Sequence, residues 1–486
     1  MRFLIIILFL VIGIATNAQP PKKFYSTYGG NGYDVGYDVK QTLDGGYIIT
    51  GSTSSYGQGN TDMYLLKIDS MGQKVFQSTF GGVSNEIGKS IVQLADSSYV
   101  MAGYTSSSGV GGYDVFLVKA DKAGNLIWQK TIGGADWDFA NSMDTTADGG
   151  FIIAGTTYSY GKGNADGFVI KTDANGDTTW TKTFGGLKDD EFKSVIQTSD
   201  GNYALAGYTK SYNDSLGDAW MFKIYANGDS AHTISYNFGL SDAFNHIQQL
   251  QTGEFITAGY LTFNNAQKRD GIFNKISSTG TILLQTTDGQ SGGDEEFFRV
   301  GISNSSFGVY TVLGNSHENG SSFKIDVKLL LLNSGGGYVN GGAIGSSLDD
   351  ECFSFCLTKE NSKGYIAAGY TKSYNSSLSD CFILKYDSLL SFGTSIIGVR
   401  EINNFHNNTF IYPNPFAEKI YFKSNYHKYK SIEILSIQGA RVFYSDINNT
   451  LDNIDLNFLE DGLYIINITD KNNEKYFQKI IKETIR

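Results

Sequence analysis

The chain has 486 residues, with 58 Gly, 4 Pro, 14% aromatic side chains and a net charge of −11. That length suits two or more domains, and a glycine-rich chain with so little proline is neither collagen-like nor a low-complexity tract. Residues 399–486 carry 11 basic and 11 acidic side chains, so the excess negative charge lies upstream. Nucleic acid and anionic membranes repel such a surface and are excluded as partners of the main domain.

Residues 1–18 read as a signal peptide. Arg2 is the charged start, Phe3 to Ile14 is the apolar run, and Ala18 offers a small residue for cleavage. The run is shorter than the ~20 residues that a spanning helix needs. No integral membrane segment is expected after signal cleavage.

From Gly29-Gly30 onward the chain repeats. The pair returns at 81–82, 133–134 and 185–186, 52 residues apart. Lys67, Lys119, Lys171, Lys223 and Lys275 keep that interval, as do Asp62, Asp114, Asp166, Asp218 and Asp270. A period near 50 residues marks a repeat architecture. Each unit reads as four strands. A lead-in such as Val75–Phe80 alternates apolar and polar residues. A second strand follows the GlyGly loop, as in Ser194–Thr198, and an Asp-Gly turn at 200–201 forms a hairpin to Tyr203–Thr209. The fourth is Ala219–Ile224. Four antiparallel strands make one β-propeller blade.

The third-strand glycines count the copies: Gly51, Gly103, Gly155, Gly207, Gly259, Gly314 and Gly369. The expected fold is all-β, a seven-bladed β-propeller over 19–395 followed by a small Ig-like β-sandwich. Blade six is the most divergent, with Leu331 for the Lys and Asn333 for the Asp. Strand 24–28 is expected to complete the last blade and remove its open edge; the rival is a strand from 389–397. The repeated Lys is expected to pair with a carboxylate between blades. Cys352, Cys356 and Cys381 fall in one repeat and are read as buried thiols, with a bond from Cys381 as the alternative.

Residues 396–411 read as a linker. Beyond them the 52-residue period is gone. Strands are expected at 419–423, 431–437, 440–444, 462–469 and 475–482. Five elements lie in order: Tyr412-Pro413-Asn414-Pro415, Ile434 to Gly439, Ile454-Asp455-Leu456 with Leu459, Asp461-Gly462-Leu463-Tyr464, and Lys479 to Lys482. In this order they resemble the type A C-terminal sorting domain of cargo for the type IX secretion system of Bacteroidota. The resemblance implies a sorting domain over 412–486, the type IX machinery as partner, and passage through the periplasm to the cell surface or medium. It places the sorting signal on Tyr412, Pro413, Asn414, Pro415, Gly439, Gly462, Tyr464 and Lys482. Residues 24–390 resemble the glycine-rich propeller repeats found upstream of such domains, which implies architecture only.

Two loops per blade are expected on one face. One carries Asp34, Glu86, Asp138, Asp190 and Asp242; the other carries Tyr56, Tyr160, Tyr212 and Tyr374 and then the Asp62 series. Exposed tyrosines with carboxylates suit a glycan or protein ligand. The competing reading is that repeated Asp residues cap turns. Asp173 to Asp177 resembles a calcium loop but lacks its late Glu, so a plain turn is expected. No metal, cofactor or catalytic set is expected, since no His recurs with a nucleophile or carboxylate. The expected function is a non-enzymatic binding or display module; the alternative is a glycan-active enzyme using two axial carboxylates.

Overall fold

The computed structural model describes residues 24–212, 216–262, 268–289, 294–302, 310–317, 325–345, 348–359, 364–373, 378–386, 411–412, 418–422, 429–436, 441–446, 453–459, 462–471 and 475–482. The signal peptide, the linker, Tyr374, Pro413, Asn414, Pro415 and Gly439 lie outside them. The described residues from 28 to 386 form one compact unit, and those from 411 onward, with which Phe24–Thr27 group by contacts, form a second. No helix of the described residues is long and apolar enough to cross a membrane.

The larger unit is built from four-stranded antiparallel sheets. The first comprises Asp34–Gln41, Tyr47–Thr53, Asp62–Ile68 and Lys74–Phe80, in that order. Five further sheets repeat the order, opening with Glu86–Gln93, Asp138–Thr145, Asp190–Gln197, Ala243–Gln249 and Asp294–Ile302. A seventh runs Asp350–Leu357, Tyr365–Thr371, Asp380–Tyr386 and then Phe24–Tyr28. Phe24–Tyr28 is counted here because its hydrogen bonds make it the edge of this sheet.

The middle strands are buried on both faces, as Tyr47–Thr53 and Asp62–Ile68 are throughout. This explains their nearly continuous apolar runs. The fourth strand, Lys74–Phe80, is exposed at its first two residues and half-buried over the next four, as suits the edge of a sheet. Neighbouring sheets pack face to face. Phe192 of the fourth sheet stacks on Trp220 at 4.6 Å between centroids, inside a cluster that includes Ile152 and Val169 of the third.

One backbone bond recurs between neighbouring sheets. Glu86 N donates to Thr61 O at 2.7 Å, Asp138 N to Tyr113 O at 2.6 Å and Asp190 N to Ala165 O at 2.8 Å. The equivalent bond of the first sheet runs from Asp34 N to Ser379 O of the seventh, at 2.8 Å. A side-chain strap repeats too. Gln93 Oε1 accepts from Leu43 N and Gln249 Oε1 from Ser199 N, both at 2.8 Å. Gln41 Oε1 of the first sheet accepts from Lys359 N of the seventh.

The repeated lysine corrects an expectation. Lys67 reaches Asp44 at 3.1 Å and Lys171 reaches Asp148 at 2.9 Å. Each carboxylate sits in the turn between the first two strands of the lysine's own sheet, so the pair ties one sheet and bridges no junction. In the sixth sheet Asn333 Oδ1 accepts from Gly335 N and Gly337 N, so it does the turn work of the missing Asp. The three cysteines are free thiols, with Cys352 and Cys381 buried.

The smaller unit holds two sheets. One orders Ile411–Tyr412, Lys419–Phe422 and Asn453–Asp455; the other orders Arg441–Asp446, Tyr429–Ser436, Gly462–Asp470 and Lys475–Lys482. Ile420, Ile432, Ile434, Ile454, Leu456 and Ile466 are buried and form its core.

Candidate functional site: a cavity lined by seven bulges

The first strand of every sheet carries a β-bulge. Pairing with the second strand slips between Gly36 and Asp38, Gly88 and Ser90, Ala140 and Ser142, and Phe192 and Ser194. It slips again between Phe244 and His246, Phe297 and Arg299, and Cys352 and Ser354. A bulge places two residues opposite one, bends the strand and re-aims a side chain.

The repeated glycine of the second strand explains why the bulge is there. Gly51 pairs with Gly36, and a Cβ on Gly51 would drive into Val35 O. Gly155 stands in the same relation to Phe139 O and Gly207 to Glu191 O. Only a residue without Cβ lets the bulged backbone come this close.

The skipped residues are Tyr37, Lys89, Asn141, Lys193, Asn245, Phe298 and Phe353. All seven line one cavity of about 280 Å³. Glu191 and Glu296, one turn of the pleat earlier, line it too, with Ser142, Ser194, His246 and Arg299 from the residue after the bulge.

The lining is held in place from behind. Asn141 Nδ2 donates to Glu191 Oε1 at 2.9 Å and to Phe192 O at 3.0 Å, crossing from the third sheet to the fourth. Asn245 Nδ2 does the same to Glu296 Oε1 at 2.8 Å and Phe297 O at 2.9 Å. Glu296 also pairs with Arg269. Buried Asp38 anchors the charges beneath: Lys40 lies at 2.9 Å, Arg299 Nη2 at 3.0 Å, and Ser354 Oγ donates at 2.6 Å. Burial alone would raise the Asp38 carboxyl, but Lys40 and Arg299 outweigh it and hold it at about 2. Burial, with Arg299 and Lys40, pushes the His246 imidazole well below its usual range and keeps it neutral. Burial also pushes the Lys89 ammonium down to about 8, against the attraction of Glu191 and with the repulsion of Lys193.

The residues singled out in the loops do a different job. Asp34 Oδ2 accepts from Gly30 N at 2.9 Å and from Ser55 Oγ at 2.6 Å, and its other oxygen takes the Thr53 hydroxyl. Asp190 repeats this with Gly186 N at 2.8 Å, Ser211 Oγ at 2.6 Å and Thr209. Asp166 Oδ2 accepts from Lys162 N at 2.7 Å and Gly163 N at 3.0 Å. These carboxylates are buried caps. Tyr56, Tyr160 and Tyr212 donate their hydroxyls to Gly29 O at 2.6 Å, Gly133 O at 2.9 Å and Gly185 O at 3.2 Å. Their rings stay partly open, with Tyr160 47% exposed. Asp173 closes a plain turn, its Oδ1 accepting from Asn175 N and Asp177 N. Among the described residues no three His, Cys, Asp or Glu are grouped to hold a metal ion.

The bulged residues were not found by sequence reasoning, although a signal existed. It lies in the glycine of the partner strand, which recurs in all seven copies from Gly51 to Gly369.

Of the sorting residues, Tyr412 pairs with Tyr421, and Gly462 opens the strand that pairs it with Lys482. Tyr464 and Lys482 are buried on adjacent strands. Residues 410–483 match the family described as secretion system C-terminal sorting domain. The chain therefore carries a type IX sorting domain, which implies export followed by secretion or surface display.

The chain is 31% identical over 204 residues to regulatory protein FlaEY of Caulobacter vibrioides. That match covers 35% of this chain and 21% of the relative, so the chain spans about a fifth of its length. Among solved structures it is similar to the WD40 domain of Neurospora crassa Pan2, at 9% identity and a TM-score of 0.45, covering 75% of this chain and 96% of that one. It is also similar to a copper-bound fungal alcohol oxidase, at 10% identity and a TM-score of 0.48, covering 95% and 98%. The architecture rests on the chain's own sheets.

Proposed function

We propose that the larger unit is a closed seven-bladed propeller that binds a ligand in its axial cavity, and that the sorting domain delivers it to the cell surface or medium as a non-enzymatic binding module. The observation that carries this reading is that one cavity is lined by the bulged residue of all seven sheets. Such convergence follows if the sheets surround an axis. The bonds from Asp34 N to Ser379 O and from Lys359 N to Gln41 Oε1 support closure, because they repeat between the first and seventh sheets bonds that join neighbouring sheets elsewhere.

A pocket of this size with a few convergent polar groups on aromatic walls suits a small polar ligand or one arm of a larger one. It is a better site than Tyr56, Tyr160 or Tyr212, whose hydroxyls already serve the backbone. An enzyme reading has one support, the presence of Glu191 and Glu296 in one cavity. Against it, each is engaged by an amide and Glu296 by Arg269 as well, which suits an acceptor more than a proton donor.

The test is a glycan array with the mature chain, followed by assay of any hit for release of reducing ends. Asn141→Trp fills the cavity and Phe353→Ala widens it. Each should change affinity for a hit at least tenfold; unchanged affinity in both removes the cavity as the site, and turnover replaces this reading with the enzyme one. In a host with the type IX system, a chain ending at Gly398 should stay in the periplasm while the full chain passes the outer membrane. Equal export of the two would remove the sorting role.

A further inference from the structure

We propose that the axial cavity binds an anion, a carboxylate or sulfate group carried on a ring with an apolar face, of which a uronate is the simplest example. The inference rests on the binding reading above and names its ligand class. The cavity has two kinds of wall. Tyr37, Phe298 and Phe353 come from the first, sixth and seventh sheets, and Phe353 packs against both others, 5.2 Å from Tyr37 and 5.7 Å from Phe298 between centroids. The second and fourth sheets contribute Lys89 and Lys193.

Neither ammonium makes an ion pair among the described residues. Lys193 Nζ donates at 3.0 Å to the uncharged Asn245 Oδ1, and Lys89 Nζ lies 3.9 Å from the centre of the Tyr37 ring. The other cations have carboxylate partners: Arg299 and Lys40 share Asp38, and Arg269 faces Glu296. This leaves two ammonium groups against the single carboxylate of Glu191. A desolvated, unmatched cation is unfavourable until an anion joins it. Burial pushes the Lys89 ammonium down to about 8 in spite of Glu191, which is the desolvation part of that cost. An anion between the two amines would relieve it, while the aromatic wall takes the apolar face of a sugar or aromatic ring.

The experiment is calorimetric titration of the full mature chain with D-glucuronate, D-glucose, benzoate and inorganic sulfate. Glucuronate should bind at least tenfold more tightly than glucose. Lys89→Met and Lys193→Met should each weaken glucuronate at least tenfold and leave glucose within twofold. Lys89→Arg, which keeps charge and volume, should retain binding and guards against a variant that merely misfolds. Benzoate binding as tightly as glucuronate would support the anion with an aromatic body; sulfate alone would support the charge without the ring. Equal affinity for glucose and glucuronate, both lost in Phe353→Ala, would overturn the anion while leaving the binding cavity intact. Binding of none of the four overturns it as well. Array hits indifferent to every cavity variant would overturn both readings.

Discussion

Two sets of side chains occupy the same repeat, a few residues apart, and obey opposite rules. At the GlyGly loops Asp34, Glu86, Asp138 and Asp190 accept the same backbone bond in sheet after sheet, from Gly30, Gly82, Gly134 and Gly186. Three residues further on, the bulged positions hold Tyr, Lys, Asn, Lys, Asn, Phe and Phe. The first set solves the same local problem in each of these sheets, so one kind of answer recurs. The second faces a shared cavity, to which the seven sheets contribute four kinds of side chain. Within a repeat protein, repetition marks what each unit needs for itself, and divergence at a fixed position marks what the units do together.

The comparison breaks if the repeated set governs binding or the divergent set governs folding. The largest effect is expected at the glycine behind the bulge. Gly155→Ala sets a Cβ against Phe139 O and should cost about 3–5 kcal/mol, read as a large fall in denaturation midpoint. A loss under about 1 kcal/mol would mean that the bulge does not need it. Asp190→Ala strips a buried cap of three donors and should cost about 2–3 kcal/mol, with any ligand affinity unchanged in the protein that folds.

Two carboxylates give opposite pH signatures. Asp38 is held at about 2, below its unfolded value, so its contribution is present above pH ~4 and is lost as pH falls toward 2. Asp38→Asn should flatten thermal stability in that window. Burial pushes Asp242 up to about 6 in spite of its bonds from Phe238 and Gly239, so ionising it opposes folding as pH rises through 4 to 6. Asp242→Asn should therefore gain on the wild type in melting temperature between pH 4.5 and 7.5; a constant difference would show that Asp242 does not titrate there. The smallest effects belong to the last pair. Tyr160→Phe removes one hydroxyl from Gly133 O and should cost about 0.5–1 kcal/mol, while Lys193→Met should stay within about 0.5 kcal/mol. Only the lysine change should alter ligand binding.

Strand identity was legible because each unit states it three times over, in alternation, in turn chemistry and in period. Tyr203–Thr209 was placed to the residue, and Asp218–Ile224 missed its start by one. The cavity was not legible, because a bulge is a property of two paired strands. Nothing in Asp34–Gln41 alone says that Tyr37 will be skipped; the clue is Gly51 on the partner strand. The lysine pairing went astray for the same kind of reason. Period alone cannot tell whether Asp44, in the same sheet, or a residue of the next one lies nearer Lys67. The caps were legible in kind, since Asp after a Gly-rich loop is a turn signal wherever it stands.

The straps between sheets bear on how the chain finds its fold. Each internal junction joins residues about 50 apart, as Leu43 and Gln93 are. The junction of first and seventh sheets joins residues 316 apart through Ser354 and Asp38 and 318 apart through Lys359 and Gln41. Loop-closure entropy grows only with the logarithm of length, so this seam is disfavoured over an internal one by about 1.6 kcal/mol. It is a modest thermodynamic penalty and a large kinetic one, since long-range contacts form slowly. In the proposed ring the sheets would assemble as a growing arc, and one late event would join its ends and enclose the cavity. Ligand competence would then appear in a single step at the end of folding, after nearly all of the secondary structure is in place.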